Sequence, residues 1–223
     1  MLEIKNNYLS MITLGSFNPA ILTPDFLNQE KIFVSEVPPK GQTSPVVSQI
    51  SFSNISLLVE LERFQVMHRE IDSFENNTAV TIMTNYLNVL KYTPISVEGI
   101  NFNVALIKYT DSSLLLKILE DPANEILKHI DQVDEYSIDV NTKIADGKKQ
   151  NLIINCKYYI DKGISVSINL RVPETNDEKL ILNYNYEVQN IKLEKNRIEI
   201  IPKNYLYIVK RLFKFLEKLN EEK

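Results

Sequence analysis

The chain has 223 residues, 44% of them hydrophobic and 24% charged, and a formal net charge of −4. It is long enough for one large domain or two small ones with a real core, and its acidic balance disfavours a protein that relies on bulk attraction to phosphate. A lone cysteine excludes an intramolecular disulfide, no basic region followed by an apolar run opens the chain, and no apolar stretch approaches the roughly 18 residues of a bilayer span, so a cytoplasmic setting without a membrane partner is expected.

In chain order, the first distinctive stretch is residues 15–27, GSFNPAILTPDFL, which breaks regular periodicity yet keeps its apolar side chains. It is expected to pack as a structured loop, with Arg63 and Phe64 beneath it and the Arg63 guanidinium tying it down through backbone carbonyls. Residues 35–44, SEVPPKGQTS, have the composition of an exposed loop. The stretches from Ser44 to Leu61 alternate as strands, and the phase slips between Leu61 and Phe64, which places a tight turn or a bulge at Glu62-Arg63, the turn being preferred. Residues 78–90 then place Val80, Met83, Leu87 and Leu90 on one helical face. A strand follows, with Ile100, Phe102, Val104 and Leu106 pointing one way and a kink at Gly99.

A linking helix is predicted over about 112–130, interrupted at Pro122. Beyond it, Tyr136, Ile138 and Val140, then Leu152, Ile154, Cys156, Tyr158 and Ile160, then Ile164 to Val172, then Leu182, Tyr184, Tyr186 and Val188 alternate with polar residues across short turns. This is the pattern of an antiparallel meander with one apolar face. After Pro202, Leu206, Val209, Leu212, Phe213, Leu216 and Leu219 recur at helical spacing and supply a cover. The fold class is therefore α+β, antiparallel sheets each covered by amphipathic helices. Two readings of its organisation stand: two diverged halves, 1–110, a sheet-plus-helix half, and 111–223, a linking helix, meander and C-terminal helix, or one continuous domain made of both.

Chemistry-bearing residues are sparse. Two histidines, His68 and His129, lack partners at zinc spacing, Cys156 falls inward on a strand, and five glycines leave no phosphate-cradling loop. No catalytic residue, metal, cofactor or small-molecule ligand is predicted. The densest charged segment holds Glu60, Glu62, Arg63, His68, Arg69, Glu70 and Asp72. Carboxylates and a histidine there would suit a hydrolase or nuclease only if they converge in a pocket. Lys210, Arg211 and Lys214 on the C-terminal helix would suit a nucleic-acid adaptor only if joined by basic residues elsewhere, and nucleic acid is the less favoured partner.

Taken in order, Phe17-Asn18-Pro19-Ala20, Pro24 with Phe26, Arg63-Phe64-Gln65, Thr93-Pro94 and Gly99-Ile100-Asn101 resemble the motifs of a sporadically distributed family of uncharacterised bacterial proteins; this chain has leucine after Phe26 where a tandem aromatic can stand. The resemblance covers the first half and implies a bacterial cytosolic setting with no assigned reaction. The element order of the second half looks like the subunit plan of the export chaperone SecB. With sheet edges and an amphipathic helix on offer, the expected function is a non-enzymatic protein-binding or scaffolding protein, whether a SecB-like chaperone or part of a toxin–antitoxin or defence module, acting on a protein partner or by self-association. Phe17, Asn18, Pro19, Phe26, Arg63 and Phe64 are its candidate binding residues.

Overall fold

The computed structural model describes residues 2–71, 74, 77–108, 136–145, 148–161, 164–172, 179–189 and 197–221. The predicted linking helix, with Pro122 and His129, lies outside them, as does Asp72. Ten strands and three α-helices are described: β1 Leu2–Gly15, α1 Pro24–Gln29, β2 Lys40–Gln42, β3 Val47–Phe52, β4 Ile55–Glu60, β5 Arg63–Arg69, α2 Thr78–Val89, β6 Ile95–Lys108, β7 Tyr136–Ala145, β8 Lys148–Asp161, β9 Ile164–Val172, β10 Lys179–Gln189 and α3 Arg197–Glu221. The class is α+β. Two compact units interleave along the chain: an amino-terminal unit of Tyr8–Asn101 with Glu187–Val209, and a carboxy-terminal unit of Met1–Asn7, Phe102–Tyr186 and Lys210–Lys223.

In the amino-terminal unit the strand order is β2-β3-β4-β5-β1-β6. The β4–β5 hairpin closes with Glu60 opposite Arg63, so its turn is Leu61-Glu62, one residue earlier than the phase slip implied. Alternation puts Ile50, Phe52, Ile55, Leu57, Val59, Phe64 and Val66 in the core. Helix α2 packs against β5 and buries Ala79, Ile82, Met83, Tyr86 and Leu87, a face rotated slightly from the predicted one, with Val80 half-buried. The outermost strand, β2, is three residues long and pairs antiparallel with β3. It falls inside the stretch expected as a loop. Its Gly41 has φ +151°, and an added Cβ would meet the Gln49 carbonyl oxygen at 1.9 Å, so only glycine permits that close pairing.

The 15–27 stretch is a structured cover for this core. Asn18 Oδ1 accepts from Ala20 N at 3.1 Å and starts a 3-10 turn, Pro19–Ile21. Thr23 Oγ1 accepts from Phe26 N at 3.1 Å and caps α1, with Pro24 first inside the helix and Asp25 in its first turn. Leu22, Leu27 and Ile32 are buried beneath. Phe17 and Phe64 lie 6.1 Å apart between ring centroids, and Phe26 meets Tyr86 edge-on at 6.4 Å.

In the carboxy-terminal unit the order is β6-β10-β9-β8-β7. One face carries Phe102 and Val104, Leu182, Tyr184 and Tyr186, Val166, Ile168 and Leu170, and Ile154, Cys156 and Tyr158, all buried. Leu212, Phe215 and Leu216 of α3 are buried in the same unit, with Phe215 6.5 Å from Tyr184 between centroids. On β7, Tyr136, Ile138 and Val140 stand opposite Tyr158, Cys156 and Ile154 and therefore share their face. Their expected burial is corrected: Tyr136 and Val140 are exposed, because β7 ends the strand order and has a neighbour on one side only.

Candidate functional site

Among its described residues, the charged segment that sequence singled out does not converge into a site. His68 lies five steps along β5 from Arg63, the partner of Glu60, which at strand rise separates the two ends by roughly 17 Å. They also differ in face, since His68 follows Phe64 and Val66 inward while Glu60 alternates outward. Both imidazole nitrogens are engaged: Nδ1–H donates to Asn77 Oδ1 and Nε2 accepts from Asn54 Nδ2, each at 3.0 Å. Asn77 in turn caps α2, its Oδ1 accepting from Ala79 N at 2.9 Å. His68 thus links a hairpin turn to a helix start. Among the described residues no three of His, Cys, Asp and Glu gather as metal ligands.

Glu62 lies on a groove of about 430 Å³ lined by Leu14, Gly15, Ser16, Pro94, Ile95 and Ser96. With one ionisable group among its described lining residues, they offer no acid–base pair. Arg63 does not reach the loop, contrary to expectation. Its Nη2 donates to Gln65 Oε1 at 2.6 Å, and Gln65 Nε2 donates to Ser10 Oγ at 2.6 Å. The loop is held instead by the hairpin backbone, Gly15 N donating to the Glu62 carbonyl at 3.0 Å and Phe17 N to that of Leu61 at 2.8 Å. Of the six candidate residues, Phe17, Pro19 and Phe64 are buried, Phe26 and Arg63 are half-buried, and Asn18 is exposed.

A polar constellation that the sequence reading did not assemble lies in the carboxy-terminal unit, on the face opposite its apolar core. Asn103 Nδ2 donates to Asn183 Oδ1, Asn183 Nδ2 to Asn169 Oδ1 at 3.4 Å, and Asn169 Nδ2 to Asn155 Oδ1 at 2.6 Å. The row crosses β6, β10, β9 and β8 head to tail, and Asp139 of β7 stands opposite Asn155. At the usual interstrand spacing four amides cover roughly 14 Å. Because side chains directly opposite share a face, Lys157 aligns with Ser167 and Ser137, and Tyr159 with Ser165. The Lys157 ammonium lies 5.4 Å from the centre of the exposed Tyr159 ring.

The hydrogen-bond inventory of this row is incomplete in a useful way. A carboxamide has two N–H donors and two acceptor lone pairs. Among the described residues, Asn169 and Asn183 each spend one donor and one lone pair along the row, which leaves one of each, and Asn155 spends neither N–H group. The aligned amides polarise one another, which sharpens the donors and acceptors that remain. Alternation alone placed these residues outward; their convergence depended on strand order, which no local pattern encodes.

Beneath the opposite face the ionisable groups are sealed. Burial pushes the Cys156 thiol up to about 11. Burial likewise raises the Tyr158 and Tyr184 phenols, whose oxygens lie 3.3 Å apart, with the Arg211 guanidinium hydrogen-bonding to both and opposing the shift. Arg211 is therefore turned to these phenols, while Lys210 and Lys214 remain exposed on α3.

No family model matches the chain, and no curated protein is similar to it. Among solved structures, a rolling circle replication initiator protein from Geobacillus stearothermophilus is similar at 9% identity and a TM-score of 0.34, over 92% of this chain and 80% of that one. The expected non-enzymatic protein-binding or scaffolding role is corrected. The fold gives the physical reason. The apolar stripe of α3 that motivated the expectation is spent inside the protein, where Tyr205, Ile208, Val209, Leu212, Phe215 and Leu216 are buried. No helix among the described residues is long and apolar enough to cross a membrane.

Proposed function

We propose that the chain binds single-stranded nucleic acid on the asparagine-lined sheet face of its carboxy-terminal unit. The observation that carries this reading is the head-to-tail row Asn103, Asn183, Asn169 and Asn155, with unspent amide donors and acceptors, on the same face as an exposed tyrosine four residues along β8 from Asn155. Single strands are recognised where unpaired bases stack on aromatic rings and meet side-chain amides on their edges, and this sheet face carries groups of both kinds. Tyr159 is the stacking platform, Lys157 a contact for one phosphate, and the amides read base edges.

This mode suits an acidic chain. The face attracts by hydrogen bonding and stacking, with one described cation, so counterion release is small and the salt dependence shallow. The test is fluorescence anisotropy with labelled 12-nucleotide RNA and DNA strands against a hairpin duplex. Saturable binding to either single strand, weakened about tenfold by Tyr159→Ala and little changed between 50 and 200 mM salt, is the expected result, the tenfold following from the worth of one stacked base. Preference for the duplex, or affinity untouched by both Tyr159→Ala and Asn169→Ala, overturns the reading.

A further inference from the structure

We infer that β7 is the docking edge for a second copy of this chain, which pairs antiparallel with it about a two-fold axis at Asn141 and carries the sheet from one protomer into the next. The two ends of the strand order are built differently. β2 closes one end with three residues and a glycine at φ +151°. β7 closes the other with Tyr136–Ala145, ten residues without proline or glycine. Its register with β8 shifts after Lys143, which faces Asn151 while Ile144 faces Lys149, so the extra residue lies in β8 and β7 itself runs regularly. Among the described residues only β8 pairs with β7, which leaves one side of its backbone ladder without a strand. A long, regular, unblocked edge is what proteins cover or pair.

The side chains of this edge also lack a neighbour. Tyr136 and Val140 share the apolar face of the unit and are 55% and 39% exposed, although Tyr158 and Ile154, directly opposite them on β8, are buried. A strand added on the outer side would cover both. On the other face Ser137, Asp139 and Asn141 are exposed as well.

The sequence of β7 fits itself. Its two charged residues are Asp139 and Lys143, placed evenly about Asn141. Antiparallel self-pairing centred on Asn141 sets Asp139 of each copy opposite residue 143 of the other, so opposite charges face each other at two symmetric positions. The same register sets Ile138 opposite residue 144, an isoleucine, and Val140 opposite residue 142, a threonine, and it uses the strand from Ser137 to Ala145. Apolar positions thereby meet on one face and polar ones on the other. Centring the pair on Asp139 instead would oppose two carboxylates, an unfavourable arrangement. The contact is isologous, so it is consumed when two copies meet, and the blunt β2 end offers no second strand for growth.

The experiment is sedimentation velocity on the full chain, without nucleic acid, at about 1 and about 100 μM, a range suited to the small area that one strand pair buries. Monomer should give way to dimer and to nothing larger. Asp139→Lys alone and Lys143→Asp alone should each weaken dimerisation about tenfold, because each creates like charges at both symmetric positions, and the two together should restore it. Asn141→Cys should give a covalent dimer on a non-reducing gel after mild oxidation, and Ser137→Cys far less, since only at the axis does a residue meet its own copy at disulfide distance. The cysteine variant keeps both charges, so it decides the matter even where a reversed charge unsettles the fold. A strict monomer at the higher concentration, a dimer indifferent to both single reversals, or equal cross-linking at 137 and 141 overturns the proposal. Species that keep growing with concentration overturn the closed pair. With nucleic acid absent, each outcome is independent of strand binding.

Discussion

His68 and Asn77 are joined by a 3.0 Å hydrogen bond, and the same Asn77 oxygen caps the first turn of α2. The imidazole therefore orients the cap that starts the helix carrying Tyr86. Asn77→Ala should lower stability by about 1–2 kcal/mol, the usual worth of a cap lost at a buried helix start. His68→Ala should cost less. In a urea double-mutant cycle the two should fall short of additive by about 0.5 kcal/mol or more, because each removes the other's partner. Full additivity would show that the histidine does not act through the cap.

Phe64 lies stacked on Tyr86, ring centroids 3.9 Å apart at 26° between planes, with Phe17 beside it. It is fully buried. Phe64→Ala should destabilise by about 3–5 kcal/mol and Phe64→Leu by clearly less, since leucine refills much of the cavity. Equilibrium unfolding reads the difference. Equal costs for the two variants would mean that the ring's stacking on Tyr86, not the volume it fills, carries the loss.

Gly15 is fixed by closeness: an added Cβ would stand 2.2 Å from the Pro94 carbonyl oxygen, a backbone atom that cannot swing away. Ser16 N donates to that same oxygen at 3.1 Å. Gly15→Ala should therefore destabilise by about 1–3 kcal/mol through overpacking, and should loosen the 15–27 cover as seen by hydrogen exchange at Phe17 N–H. A neutral substitution would show that the two backbones part without loss.

Local rules reached some of these features and stopped at others. Alternation found Phe64 and Val66, Val166 to Leu170, and Ile154 to Tyr158, since a strand buried on one face writes its burial into every second residue. The α3 stripe was found with a small rotation, Tyr205, Ile208 and Phe215 being buried while Leu206 is half exposed. Thr23-Pro24-Asp25 carries a complete helix-start signal, but the irregular composition around it masks α1 as loop. The charged residues from Glu60 to His68 were close in sequence, but an extended strand turns sequence proximity into distance. The asparagines were far apart in sequence and became neighbours through strand order.

Cys156 gives a pH prediction. Burial raises its thiol from 9.0 to about 11 in the folded chain. A group whose folded value is raised adds stability that is fully present below its unfolded value and is lost as pH climbs through the folded one. Thermal unfolding should thus show a loss of stability between about pH 9 and 11, and Cys156→Val should remove part of it, the raised tyrosines Tyr158 and Tyr184 accounting for loss at higher pH. At pH 8 the native thiol should react with a disulfide reagent far more slowly than the thiol of the urea-unfolded chain. An alkaline profile identical in Cys156→Val would assign the loss elsewhere.

The three-residue strand β2 has a consequence for how the protein behaves in crowded solution. Ending a wide sheet on so short a ribbon, with Lys40 at its start and a glycine whose backbone bends away from the extended norm, leaves little flat edge on which another molecule's strand can grow. Replacing Gly41 would unseat this stub and bare the longer, regular rim of β3, turning a quiet margin into a seed for fibrils.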